Sequence, residues 1–216
     1  MEIRWLGHAG FIMTSENGVK VMTDPSGDSV GYPLPREVVD VVTVSHGHHD
    51  HNAVGVLPGK PEVIDTPGPH PFKDVSIEGF STFHDPHQGA QRGRNIVYRF
   101  VIDGLRVVHC GDLGHQLDAS LVEKLKPVDV LMVPVGSVYT IDAEGARQVA
   151  EALQPRVIIP MHFQTPCLLL RLEPVENFTR FYSKPKKLDS LNITEDTLPQ
   201  QTEVVILNYP EQPTEK

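Results

Sequence analysis

Hydrophobic and polar positions along the first part of the chain run in three short stretches. Residues 2–6, 10–14 and 19–23 alternate or run apolar, and Ser15-Glu16-Asn17-Gly18 reads as a hairpin turn between the second and third. The pattern predicts a β-meander closed by Asp24-Pro25. The Gly- and Pro-rich stretch 26–35 that follows is long enough to predict a mouth loop or mobile lid rather than packed structure. Residues 38–44 are a β-branched run of the kind that forms a buried parallel strand, with a short helix expected to begin near Asn52. Residues 62–65 and 75–83 continue the strands, and 95–102 with 105–109 form a hairpin around Asp103-Gly104. Helical spacing appears over 118–125 and 142–153, the latter opening on Asp142-Ala143-Glu144, a helix N-terminal signature. Strands are expected at 128–133 and 157–160. Beyond 166 the signal weakens to a helix over 174–181, a closing strand at 203–207 and a frayed tail at 211–216. Periodicity alone reaches only "α/β". A chain of 216 residues holds one sizeable core and is short for two, so one domain is expected over 1–210.

One stretch is not explained by packing. Ser45-His46-Gly47-His48-His49-Asp50-His51 reads His-x-His-x-Asp-His straight after the apolar run 38–44. In an extended loop, residues two apart point the same way, so His46 and His48 are placed to grip one ion. As the chain turns, Asp50 and His51 face elsewhere and suit a second ion. His49, between them, is expected to point to solvent. The bland reading is a solvated His-rich loop or a cloning tag. A tag would sit at a terminus and would not interleave Gly and Asp.

With these residues in place the chain resembles the metallo-β-lactamase-fold hydrolases. That family orders its ligands as the His-x-His-x-Asp-His loop, a lone His, a bridging Asp and a last His, each after a strand. The matching residues here are His84, Asp112 and His162, each following an apolar β-type run within residues 1–165. More narrowly the chain is similar to a small single-domain branch of metal-dependent hydrolases that includes ascorbate-6-phosphate lactonase-like proteins. The strings carrying that likeness are Trp5-Leu6-Gly7-His8-Ala9-Gly10-Phe11, Gly111-Asp112-Leu113-Gly114-His115 and Val133-Pro134-Val135-Gly136. The resemblance implies an αββα four-layer sandwich. It implies a first metal site of His46, His48 and His84, a second of Asp50, His51 and His162, and Asp112 bridging both. It also implies two divalent ions sharing a hydroxide, roughly 3.5–4 Å apart, that attacks an acyl carbon or phosphorus. Asp50 is then both ligand and catalytic residue, orienting or deprotonating the nucleophile. Zinc leads by ligand type, with manganese, iron or nickel also suited.

Several positions carry competing readings. His87 lies three residues past His84, and family position favours the strand-end residue. Cys110 competes with Asp112 as a soft ligand, but reads better as a small core residue. His8 either lines the pocket as a substrate-binding residue or is a turn histidine bonded to backbone. His109 reads as a core histidine and His115 as a loop residue. Asp24 is the best candidate to accept an N–H from a ligating imidazole. Arg92 and Arg94, on a Gly-rich loop after His84, either clamp a phosphate or carboxylate or are surface charges.

Charge narrows the function classes. A formal charge of −9 argues against a polyanion held by a general field, which disfavours a nuclease, as does the missing second domain of the RNA-cutting relatives. A small anionic substrate remains compatible, since two divalent ions reverse the local sign. A non-catalytic metal or ligand sensor is disfavoured by the complete ligand set. A redox diiron centre is disfavoured because the flavodiiron relatives replace some of these histidines by carboxylates. The expected protein is a cytoplasmic dinuclear hydrolase acting on a small ester, lactone or phosphodiester. It is expected to have no membrane segment and to be free to form a homo-oligomer.

Overall fold

The computed structural model describes residues 1–210; the tail predicted at 211–216 lies outside the described residues. Two sheets form face to face. The first starts with the meander β1 (Glu2–Gly7), β2 (Gly10–Thr14) and β3 (Lys20–Thr23), then adds β4 (Val41–Thr43) and β5 (Glu62–Ile64) in parallel. The second runs through β6 (Gly68–Phe72), β7 (Val75–Phe83), β8 (Arg94–Ile102) and β9 (Leu105–His109) as antiparallel neighbours. It continues in parallel with β10 (Val130–Pro134) and β11 (Val157–Met161). The edge strand β12 (Lys186–Leu188) follows, then β13 (Leu191–Asn192) returns to β1. Last, β14 (Glu203–Leu207) slots between β11 and β12.

Alternation explains the layering. On β1, Ile3 and Trp5 are buried while Glu2, Arg4 and Leu6 are half-buried. Phe11, Met13 and Val21 point to the same inter-sheet core as Ile77, Tyr98, Phe100 and Val107, and Ile12, Met22 and Val42 point the other way. That outer face of the first sheet is closed by Val54 and Leu57 around a single 3-10 turn, Val54–Val56, where a helix near Asn52 is predicted. The second sheet carries the longer helices. α1 (Ala119–Leu125) and α2 (Ala143–Leu153) are capped by Asp118 and Asp142, which accept from Leu121 N at 2.8 Å and Gly145 N at 2.7 Å. α2 buries Ala146, Val149, Ala150 and Leu153, one helical face. A short α3 (Glu176–Thr179) packs beside it. This is the sandwich the resemblance implies.

Four expectations need correcting. The strand predicted at 38–44 is only Val41–Thr43, because only those residues lie opposite both β3 and β5; Val38 is 64% exposed. The stretch 26–35 is packed, not a free lid: Val30 and Tyr32 are buried against Leu168, and the Tyr32 hydroxyl meets Thr165 Oγ1 at 2.7 Å. The helix predicted at 174–181 shrinks to Glu176–Thr179. Strand β6 was not anticipated, because Pro69 and Pro71 argue against a strand; both are tolerated since β6 is a sheet edge. No described helix is long and apolar enough to cross a membrane.

Candidate metal centre

Within each sheet the strands that feed the site run the same way. β1, β3 and β4 end at one edge and release His8, Asp24 and the motif loop; β7, β9 and β11 end together and release His84, Asp112 and His162. Open sheets place ligands outside the carboxyl ends of parallel strands for this reason. The two edges are stitched by backbone bonds, His162 N to His8 O at 3.0 Å and Ile96 N to Ser45 O at 2.9 Å.

The sequence-predicted ligands converge. His84 Nε2 lies 3.1 Å from Asp112 Oδ2, His162 Nε2 3.3 Å from the same oxygen, and His51 Nε2 3.3 Å from Asp112 Oδ1. Ligand atoms of His46, His48 and His84 form one group within 4.8 Å, and Asp50, His51 and His162 form another. Asp112 sits with His46 and His51 between them. His8 joins the second group: its Nε2 is 3.1 Å from Asp50 Oδ2 and its ring 4.1 Å from that of His162. His8 is therefore fully buried at the centre, beyond either reading the sequence offered. His87 is exposed and outside every such group, which leaves His84 as the strand-end donor. Cys110 lies in the core and outside every such group, and burial pushes its thiol up to about 12. His49 is exposed on the cavity rim.

The residues fit a cation. Nε2 of His46, His51 and His162 and Oδ1 of Asp112 are buried without a hydrogen-bond partner among the described residues. Orphaned buried groups of this kind cost about 1–3 kcal/mol each unless something binds them. Burial, reinforced by neighbouring imidazoles, holds His46 down at about 3 and His8 at about 4, so both are neutral lone-pair donors. Burial would raise Asp112, but the neighbouring His162 and His51 imidazoles hold it well below the carboxylate range.

A layer behind the ligands fixes them. Asp24, buried and in the left-handed region at φ 38°, accepts from Ser45 N at 2.7 Å, Ser45 Oγ at 2.6 Å and His51 Nδ1 at 2.9 Å. Because Ser45 Oγ donates to Asp24, it accepts from His46 Nδ1 at 2.9 Å. One carboxylate thus orients His51 directly and His46 through Ser45, turning both Nε2 atoms inward. Asp24 is the partner the sequence pointed to; Ser45 is one it missed. Asn95 Oδ1 accepts from Asp112 N at 2.9 Å, while its amide donates to Cys110 O and Thr82 Oγ1. Gly111, at φ 54°, must lack a side chain because a Cβ would strike Asn95 and Ser45. His109 Nε2 donates to Ala9 O at 2.9 Å, bracing the two sheets, and His115 Nε2 accepts from Phe83 N at 3.1 Å.

The site opens into a cavity of about 370 Å³ lined by His48, Asp50, His84, Asp112, Arg92 and Tyr139, among others. The two arginines part here. Arg92 lines this cavity, stacked over Tyr139 at 5.5 Å and donating to Val138 O at 3.2 Å. Arg94 is exposed and lines only a neighbouring depression, with Ser45, His46 and Asp65, which Arg92 also borders. The loop is shaped by Asp85, unremarked in the sequence, whose buried carboxylate accepts N–H bonds from His87, Gly89, Gln91 and Arg92 at 2.7–3.1 Å. An Asp-Pro pair straight after a strand was the available signal.

A family model for a β-lactamase superfamily domain matches residues 2–162. A UPF0173 metal-dependent hydrolase of Archaeoglobus fulgidus is 31% identical over 196 residues, spanning 76% of this chain and 84% of that protein. Among solved structures, a Thermotoga maritima protein assigned to the Zn-dependent hydrolases of the metallo-β-lactamase superfamily superposes with a TM-score of 0.81. It is 39% identical and covers 95% of this chain and 97% of its own. A metallo hydrolase of Ignicoccus hospitalis shares the fold at 20% identity, with a TM-score of 0.66 over 98% of this chain and 96% of that one. The chain therefore belongs to the metallo-β-lactamase superfamily, among its metal-dependent hydrolases.

Proposed function

We propose that this chain is a two-ion hydrolase of a small anionic ester, lactone or phosphodiester. The observation that carries the reading is the convergence of buried, unpartnered imidazole nitrogens and a carboxylate oxygen on a site that opens into one cavity, with Arg92 on its wall. His46, His48 and His84 would hold one ion. Asp50, His51 and His162 would hold the other with His8 beside them, and Asp112 would serve both. Imidazole and carboxylate donors favour zinc, as does the assignment of the Thermotoga protein, while manganese, iron and nickel suit the same donors. Divalent ions bound there supply Lewis acidity and a lowered pKa for water.

The chain's own groups do the rest. Burial would raise Asp50, but the His8 hydrogen bond and the neighbouring His51 imidazole pull it below its usual range, so it is an ionised acceptor. With Oδ2 held by His8, its Oδ1 would orient the attacking water and take its proton. Arg92, whose Nη2 donates to Val138 O and whose guanidinium lies over the Tyr139 ring, keeps further N–H donors for a substrate carboxylate or phosphate. The test is elemental analysis of protein never exposed to chelator, followed by a screen of phosphodiesters, lactones and carboxylic and thioesters with chelation and metal re-addition. Two ions per chain and metal-restored turnover on an anionic ester are expected. Protein that holds no ion, or turnover indifferent to chelator, overturns the reading.

A further inference from the structure

The cavity wall beside Arg92 is apolar and partly exposed. Tyr139 and Leu170 line the same cavity as Asp50, His84 and Asp112. Val138 and Leu169, their chain neighbours, are solvent-exposed, Leu169 at 72%. Apolar side chains clustered in the open at the lip of a site mark a surface that binds something.

These residues are held in place. Leu168 is buried with Val30 and Tyr32, and Leu169 N donates to Val30 O at 3.0 Å. Gln164 ties the turn from within, donating to Leu168 O at 3.3 Å and accepting from Leu172 N at 2.9 Å. Gly31 lies so close to the Cys167 carbonyl that a Cβ there would overlap it. The packed stretch 26–35 is therefore the buttress that fixes an apolar turn outward. On the adjoining loop, Ser137 and Val138 both sit in the left-handed region, at φ 55° and 57°, an unfavourable setting for β-branched valine. Arg92 caps the Val138 carbonyl. Strain of this kind persists where the surroundings over-determine it, and it clusters at ligand clamps.

We infer that the substrate is a small soluble amphiphile that carries both an anionic group and an apolar alkyl or aryl group. Arg92 takes the anion, and Tyr139 and Leu170 take the apolar group. The identity of the bond that breaks rests on the hydrolytic reading above; the binding preference does not. A cavity of about 370 Å³ lies within the range that encloses a small ligand. The occupant is argued from continuity, since one cavity joins the apolar wall, the arginine and the candidate metal ligands.

Methylphosphonate and hexylphosphonate are inert probes that separate the two walls. Calorimetry on metal-loaded protein should show hexylphosphonate binding at least tenfold tighter, since each buried methylene is worth roughly threefold to fourfold and part of the chain stays wet. Leu170→Ser should cut that preference below about threefold and leave methylphosphonate affinity unchanged, with Leu170→Ala between. Metal content and melting temperature, read on each variant, confirm an intact site. Equal affinity for the two probes, no binding of either, or a full preference kept in Leu170→Ser overturns the proposal. So does protein that sediments with phosphatidylglycerol vesicles while treating the phosphonates alike, which would make the rim a membrane contact. Loss of turnover on every ester with the preference intact would remove the hydrolytic reading and keep this one.

Discussion

Asp24→Asn should weaken binding at both ions, although Asp24 is not itself in any of the candidate ligand groups. The carboxylate is buried and serves three donors, Ser45 N, Ser45 Oγ and His51 Nδ1, at 2.6–2.9 Å. An asparagine offers one acceptor oxygen and one donor group in the same space. Its oxygen can keep Ser45 N, and its amide can donate to a reversed Ser45 hydroxyl. Two consequences follow. The His51 Nδ1 proton then meets an N–H group, leaving a buried donor unpaired at a cost of about 1–3 kcal/mol. A reversed hydroxyl loses Asp24 as the acceptor that kept its lone pairs toward His46 Nδ1, so the tautomer with Nε2 free is no longer favoured. Losing such an outer partner typically costs 10–100-fold in metal affinity. Because His46 groups with His48 and His84 while His51 groups with Asp50 and His162, both proposed ions should be affected, His51's more. Zinc titration of chelator-stripped protein against a competing dye reads this directly. Ser45→Ala is the control: it removes the path to His46 alone, so only one binding step should weaken. The reasoning fails if Asp24→Asn binds both ions at wild-type affinity, or if Ser45→Ala weakens both steps equally.

Three further outcomes are expected. His84→Ala should lose metal and turnover, whereas His87→Ala, exposed and outside the ligand groups, should keep both, as metal content on the two variants will show. Arg92→Ala should raise KM for an anionic ester about tenfold or more without changing metal content, and Arg94→Ala should not; equal effects would mean the loop's shape matters and its charge does not. Gly111→Ala should destabilise by about 1–3 kcal/mol, lowering Tm by several degrees in a thermal melt, since the new Cβ meets Asn95 and Ser45 at a positive φ.

What was legible in the sequence is what chemistry alone can explain. Four imidazoles and a carboxylate after a β-branched run have no packing rationale, so His46, His48, Asp50 and His51 stood out before any fold was known. His84, Asp112 and His162 needed the order of the family's motifs, because a single His or Asp after a strand is common. The unread residues act across the gap between the sheets. Ser45 looks like an ordinary strand-end serine until Asp24 is beside it, and Asn95 opens β8 but holds the chain at Asp112. Arg92 and Arg94 are two apart on one loop, yet only Arg92, whose N–H is held by Asp85, reaches the cavity over Asp112. Pattern also misjudged 26–35, where glycine and proline masked a buried valine and tyrosine.

Backbone geometry at the site ties these observations together. His8, Asp24 and His162 all lie in the left-handed region, at φ 54°, 38° and 52°, each immediately after a strand. A non-glycine residue there costs about 1–2 kcal/mol, so three in one site are a standing charge on stability. The gain is directional. A strand left to continue would send its next side chain along the pleat, to one face or the other. A left-handed residue at the exit bends the chain at once, so His8 and His162 turn toward each other across the sheets and bring their rings to 4.1 Å. The backbone bond from His162 N to His8 O, at 3.0 Å, locks that bend on both sides. Gly136 makes room for it, since a Cβ there would overlap the His162 carbonyl. Glycine at position 8, 24 or 162 would relieve the strain but remove an imidazole from the site or the carboxylate that holds Ser45 and His51, so the residue that bears the conformational cost must be the one the site needs. That is why stabilising the strand exits and keeping the metal site are opposed in this fold.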